Sequence, residues 1–273
     1  MVTKTFSATL DGIQGAIVQI EAISLNAIPQ IQITGLPGEV VKESRDRVCA
    51  CLVNLGFDIP TSKILVHLSP ANIKKVGSHY DLPITLAVLA AENKMLGAKL
   101  DEHGFVGELS LDGSLCPVKA ALPLIEAMVN NTRIKHIIIP HQNEFEGSLL
   151  KSQKIHLAKD ISEVVDFLKY QKPLPKCSEI NSHIAASNSN LFDDVIGQSL
   201  AKRALQIAIA GRHHLLFSGP PGVGKSMLSS SALSLLPEMT QKEFIEVLKI
   251  YNASSIEIDS LVEKRIRPYR SPH

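Results

Sequence analysis

Residues 215–226 read LLFSGPPGVGKS, and the architecture of the second part of the chain turns on how these twelve letters are understood. Gly219-Pro220-Pro221-Gly222-Val223-Gly224-Lys225-Ser226 fits the spacing G-x-x-x-x-G-K-[ST]. Its glycines let the backbone turn tightly, so that successive N–H groups converge on phosphate oxygens. A helix opening at the loop adds the positive end of its dipole. In that geometry the Lys225 ammonium reaches the β- and γ-phosphates of a nucleotide, and the Ser226 hydroxyl is a ligand for Mg²⁺. Leu215-Leu216-Phe217 supplies the apolar strand expected before such a loop, and Met227-Leu228 begins the helix expected after it. A Gly/Pro-rich surface turn with a solvated lysine would use the same letters. From average composition, however, the pattern arises by chance in about one chain in a hundred of this length. ATP and Mg²⁺ are the implied cofactors.

Upstream of the loop, a helical pattern covers about Gln198 to Ala210 (QSLAKRALQIAIA), and this second domain is expected to span residues 191–273. Before it, Pro173, Pro175 and a Ser/Asn-rich run without periodicity mark an interdomain linker over residues 173–190. Residues 1–172 read as an α/β domain. Strand-like, β-branched runs fall at Ala16–Ser24, Gln30–Thr34, Lys63–Leu68 and Ile134–Ile139, with a short one near Ile155–Leu157. Helical spacing predicts Glu39–Leu55, stopped by Gly56, and further helices at Leu82–Lys94, Ala120–Val129 and Ile161–Tyr170. Asp112-Gly113 within Phe105–Leu115 is a strong hairpin signal.

Bulk properties narrow the class. Lys+Arg number 28 against 27 Asp+Glu, a net charge of +1, so the overall field gives no support for nucleic acid as a partner and leaves only a local basic face open. Cys49, Cys51, Cys116 and Cys177 form neither a CxxC pair nor a ligand cluster, which predicts reduced thiols of a cytoplasmic protein. The N-terminus MVTKTFSATLDG lacks the apolar core of a signal peptide, and no apolar run approaches the ~20 residues of a membrane span.

Asp193-Asp194-Val195-Ile196-Gly197-Gln198, Ala201-Lys202-Arg203-Ala204 and Ala208–Pro221 together resemble the AAA+ ATPases of the magnesium-chelatase-like branch, and within it the ComM/YifB family. The stretch Arg267-Pro268-Tyr269-Arg270-Ser271-Pro272-His273 is similar to that family's "RPFRxPHH" segment. The first domain resembles the same family's N-terminal domain, itself similar to the proteolytic domain of Lon and the tail domain of RadA. The residues carrying that likeness are Gly35-Leu36-Pro37, Lys42–Val48, Tyr80-Asp81-Leu82-Pro83 and Gly107–Gly113. The implied fold is therefore a Lon-protease/ribosomal S5 domain 2-like α/β domain followed by a partial P-loop AAA+ domain.

The resemblance implies that Val195 and Ile196 lie on the adenine side of the nucleotide, that full-length relatives are hexameric, and that they drive DNA branch migration in natural transformation. It also implies that a protease nucleophile would fall near His79 and its lysine near Leu122. Ser78 is one residue off and no lysine stands at the second position, so no Ser–Lys dyad is expected. Hydrolysis of ATP further requires an acidic strand and an arginine from a neighbouring subunit. Ile256-Glu257-Ile258-Asp259 comes too early for the former, so the chain reads as the front half of such a protein, ending inside its ATPase domain. Two other functions fit: the ATPase subunit of a porphyrin magnesium chelatase, and a non-enzymatic partner-binding module. Lys264, Arg265, Arg267 and Arg270 form the one basic cluster that could meet a phosphate backbone, with a solvated chain end as the plainer explanation. His213 and His214 have no third ligand nearby and read as loop or core histidines.

Overall fold

Thr3–Asp11 (β1) and Gln14–Leu25 (β2) open the computed structural model as an antiparallel hairpin, in register from Thr3↔Ala22 to Asp11↔Gln14. The structure describes residues 2–57, 60–92, 100–178, 192–253 and 267–268. Gly12 makes the hairpin turn at a φ of 62°, a conformation that costs a residue without Cβ nothing. Gln30–Thr34 (β3) and Lys63–Ser69 (β4) extend one side of this pair, and His103–Phe105 (β5), His136–Pro140 (β8) and Ile155–Ala158 (β9) extend the other. The strand order β3-β4-β2-β1-β5-β8-β9 gives a mixed sheet. Its β3–β4, β1–β5, β5–β8 and β8–β9 pairs are parallel, whereas β2 runs antiparallel to both neighbours.

Helices cover both faces, as a sheet with parallel pairs requires. Glu39–Asn54 (α1), Asp81–Ala91 (α2) and Ile161–Tyr170 (α5) bury one core with Val18, Ile20, Ile64, Val66 and Leu68. Ala121–Asn130 (α3) and Glu144–Leu149 (α4) lie in the other layer, where α3 buries Leu124, Ile125 and Met128 against Phe6, Ile137, Ile139 and Ile155. α1 presents Val41, Ser44, Val48, Cys51 and Leu52 inward at helical spacing, and Gly56 at φ 76° ends it with Phe57 N–H donating to Leu52 O.

A buried ionic network ties α1 to α2. The fully buried Asp81 carboxylate accepts from Arg47 Nε at 2.7 Å and Nη2 at 3.0 Å, from the Ser44 hydroxyl and from Leu109 N–H at 3.3 Å. The Lys42–Val48 and Tyr80–Pro83 segments, distant in sequence, thus meet through one carboxylate.

Three expectations change. Phe105 belongs to β5 of the main sheet, so the Asp112-Gly113 hairpin is only Glu108–Leu109 (β6) against Leu115–Cys116 (β7). The helix expected to reach Lys94 ends at Ala91 in α2, and residues 93–94 lie outside the described set. The linker expected from residue 173 starts later: Leu157 N–H donates to Pro175 O at 2.8 Å and Cys177 N–H to Ile155 O at 3.3 Å, pinning 173–178 beside β9. Residues 179–190 of that linker lie outside the described set.

The chain divides into two compact units, residues 1–181 with 249–256 and residues 182–248 with 257–273. The second is helical where described, with Ser199–Gly211 (α6), Lys225–Leu235 (α7) and Gln241–Ala253 (α8) as far as residue 248. Thr240 and Glu243 cap α8 reciprocally: Thr240 N–H donates to Glu243 Oε2 at 2.9 Å, and Glu243 N–H to Thr240 Oγ1 at 3.3 Å.

Candidate functional site

The loop Gly219–Ser226 is exposed save for the half-buried Lys225, and α7 begins directly at that lysine. Gly219, Gly222 and Gly224 hold φ values of 158°, 83° and 85°. All three lie in the positive-φ range where a Cβ is disfavoured, and they stand together just before the helix start. Leu228 N–H bonds Gly224 O at 2.9 Å, so the N–H groups of Lys225, Ser226 and Met227 are the ones left without an intrahelical acceptor at this end. Lys225 Nζ donates to Gly219 O at 2.8 Å and Pro220 O at 2.6 Å, so its ammonium lies back over the loop. The Ser226 hydroxyl stands one residue on, exposed on the first turn.

The segment expected on the adenine side comes to the same loop. Gln198 Nε2 donates to Val223 O at 3.2 Å, joining the entrance of α6 to the turn above α7. Val195 is only 5% exposed and packs with Leu205 and Leu228, with Phe192, Ile209 and Phe217 around them. Ile196 is 95% exposed. The two neighbours therefore divide the work: Val195 fastens the segment to α6 and α7, and Ile196 is the apolar group left open beside it. Pro220, Pro221 and Val223 lie on the loop itself, Val223 fixed through its carbonyl and the prolines restricting φ.

The strand expected at Leu215–Phe217 is not formed. Residues 213–220 run extended without a ladder partner among the described residues, and Leu216 is 89% exposed. Strand propensity does not make a strand where no neighbouring backbone is available to pair. A groove of about 920 Å³ lies at the far end of α7 from the loop, lined by Leu205, Ile209, Leu215, Leu235, Glu243 and Arg267 among others. It meets the C-terminal ends of α6 and α7, so it is a different place from the glycine loop.

Arg267 is committed elsewhere. Its Nε donates to Pro237 O at 2.7 Å, and Nη2 to Glu238 O at 3.3 Å and Glu243 Oε2 at 2.9 Å, clamping the turn between α7 and α8. The Thr240 N–H, and after it Arg267, hold the Glu243 carboxyl down at about 2. This takes Arg267 out of the expected basic cluster; Lys264, Arg265 and Arg270 lie outside the described residues, as do Ile256–Asp259. His213 and His214 are exposed, and no group of metal-ligand type is found among the described residues. Gln198 and the Arg267–Glu243 clamp were not singled out from sequence, although Thr240-x-x-Glu243 is a helix-start signature.

In the first unit, Ser78 donates to Glu108 Oε2, and the buried His79 places Nε2 2.9 Å from Ala8 O. Burial pushes the His79 pKa down to about 4. Leu122 is wholly buried in α3. Ser78 thus bonds a carboxylate, which lacks the basic nitrogen that would take up its proton.

Comparison with known proteins places these features. The family profile described as Subunit ChlI of Mg-chelatase matches residues 20–143, and the one described as Magnesium chelatase, subunit ChlI, matches residues 191–273. Competence protein ComM of Haemophilus influenzae is 41% identical over 272 residues, covering 98% of this chain and 53% of the relative. The uncharacterized protein YifB of Escherichia coli is 37% identical over 265 residues, covering 96% and 51%. The chain belongs to the ComM/YifB family. It spans about half the length of the curated ComM/YifB relatives it matches. A Lon protease of Trichlorobacter lovleyi is 26% identical over 173 residues, covering 59% of this ComM/YifB chain and 21% of the protease. No helix among the described residues is long and apolar enough to cross a membrane.

Proposed function

We propose that this chain is the nucleotide-binding part of a ComM/YifB ATPase, with its P-loop domain at 191–273, and that residues 219–226 take the triphosphate of Mg·ATP. The observation that carries this reading is the start of α7, where three positive-φ glycines and first-turn N–H groups without an intrahelical acceptor stand beside Lys225. Lys225 would leave Gly219 O and Pro220 O for the β- and γ-phosphates, and Ser226 Oγ would ligate Mg²⁺. Ile196, with Val195 fixing it, would border the base. When bound, the metal neutralises phosphate charge; every other role here belongs to the loop's amides and Lys225.

The exchange at Lys225 has a consequence for affinity. Two carbonyl contacts must break before the phosphate contact forms, so binding by this chain is weak. By the resemblance to the ComM/YifB family, the assembled protein is a hexameric cytoplasmic motor that acts on DNA; the Haemophilus relative is itself named a competence protein. Fluorescent ATP analogue added with Mg²⁺ should give saturable binding that Lys225→Ala removes; equal binding by both proteins would sink the assignment. The match of both parts of the chain to the ChlI subunit of Mg-chelatase favours one second reading, the ATPase subunit of a porphyrin magnesium chelatase. Salt-dependent binding of branched DNA by the full-length protein, without porphyrin metallation, separates the two.

A further inference from the structure

The two edges of the seven-stranded sheet are finished differently. Beside β9, residues 173–178 of the same chain take up edge groups through the Pro175 and Cys177 backbone bonds given above. Beyond β3 no strand follows among the described residues, and residues 30–33 make no backbone hydrogen bond there outside the β3–β4 ladder. Alternate residues of a strand turn N–H and C=O to opposite sides, so the β3 groups that do not meet β4 face outward. The strand reads Gln30-Ile31-Gln32-Ile33-Thr34 in unbroken register with β4. It has none of the prolines, lysines or bulges with which natural edges turn a further strand away.

α1 gives this edge a chemical character. Ile31 is buried in the core that α1 covers and Ile33 is half-buried against it, whereas Gln30 and Gln32 are exposed. A groove of about 400 Å³ lies along the edge, lined by Gln30, Ile31, Gln32, Ile33, Lys42 and Arg45. Both charged residues lining it are cations. Lys42 Nζ meets Glu39 Oε1 at 2.9 Å and Arg45 Nε meets Asp46 Oδ1 at 3.0 Å, but those acidic side chains are 85% and 73% exposed and stand outside the groove lining. Ion pairs so open to water hold their partners loosely, so each cation is free to turn to a carboxylate laid beside it. A strand added here alternates its side chains, one set beside Ile31 and Ile33 within reach of Lys42 and Arg45, the other beside Gln30 and Gln32. Twofold pairing of two β3 edges would instead bring Lys42 and Arg45 against their own images, so the charge of the groove favours a different, acidic chain.

We propose that β3 is a docking edge for an extended acidic segment of a partner protein, which adds to the sheet beside Gln30–Thr34 and sets carboxylates at alternate positions against Lys42 and Arg45. Backbone bonds to β3 supply the pairing, and the two cations supply the choice of an acidic over a basic segment. Docking here asks nothing of residues 219–226, so it holds or fails independently of nucleotide binding.

A labelled peptide of about seven residues alternating Glu and Thr, long enough to span β3, is the probe, added to the full chain and followed by fluorescence anisotropy and by amide hydrogen exchange. Saturable binding is expected, with slower exchange at the outward amides of residues 30–34 and none of that slowing at β9. N-methylation of the peptide amides blocks strand pairing but leaves every charge, and should weaken binding about tenfold or more, as should Lys in place of each Glu. In a Lys42→Glu/Arg45→Glu protein the preference should invert toward the Lys–Thr peptide. Both side chains are exposed, so the β1–β2 amides of that protein should keep their protection. Undiminished binding of the N-methylated peptide, an unchanged preference in the double variant, protection at β9 in place of β3, or no binding of the Glu–Thr peptide would each overturn the docking edge, as would dimers of the chain joined through β3.

Discussion

The first unit closes on itself and the second does not. In the first, a seven-stranded sheet is covered on both faces, and even its buried carboxylate, Asp81, is satisfied by Arg47, Ser44 and the Leu109 N–H. In the second, the cluster behind the phosphate loop rests on three buried residues, Val195, Leu205 and Leu228, while Leu200 and Leu216 are exposed. A well-covered sheet core and a thinly covered glycine loop thus belong to different stretches of one chain. The contrast teaches that the glycine loop is locally encoded, by backbone conformation and one lysine, whereas the stability around it must come from burial that the described second unit has little of.

Substitutions should separate the two regimes. The largest loss should follow Asp81→Ala, which strands the Arg47 guanidinium and the Leu109 N–H; the first unit should weaken by roughly 3–5 kcal/mol, read from its urea midpoint. Acid comes next and acts unequally. Burial holds His79 and His156 at about 4 in the folded chain, below the ordinary 6.5, so the unfolded chain binds more protons between those values. First-unit stability is then full above pH about 6.5 and declines as pH falls toward 4, by at most roughly 2–3 kcal/mol per imidazole. Glu243 is depressed instead, so its cap and its Arg267 contact persist until pH drops below about 4.5, the ordinary carboxyl value, and fade toward 2. Exchange of α8 amides should therefore be insensitive to acid in the range where the first unit already responds. A smaller contrast is expected from matched truncations: Leu86→Ala in α2 should cost about 3–4 kcal/mol and Leu205→Ala in α6 about 2, since a sparse cluster collapses more easily around a gap. Lys225→Ala should change stability least, within about 0.5 kcal/mol, its ammonium being bound only to loop carbonyls. A Lys225→Ala protein that unfolds would mean the loop is structural.

Much of this was readable in the letters. The alternation of β-branched runs and helical spacing located β2, β3, β4, α1, α3, α5 and α6, because each carries its own period. β1 was missed, although Asp11-Gly12 between Leu10 and Ile13 is the same dipeptide signal that marks Asp112-Gly113. α8 was missed for want of reading Thr240-x-x-Glu243 as a cap. Other features had no local signal at all. Ser44 and Asp81 are 37 residues apart, and nothing in either neighbourhood names the other. His103, His136 and His156 need β5, β8 and β9 side by side in one register before their rings meet. Leu215–Phe217 failed for the opposite reason: its apolar letters predict a strand, but a strand exists only with a partner. At the candidate site the loop was legible residue by residue, while the burial of Val195 and the clamp at Arg267 depended on packing.

The central claim is that the amides around Lys225 form a cradle for a triphosphate. Isothermal titration of Mg·ATP into the folded chain, beside a Lys225→Ala control of equal stability, tests it most directly. A weak, saturable heat confined to the unsubstituted protein is the expected result; the same heat from both, or none from either when the polypeptide is extended to the full length of its relatives, would contradict it.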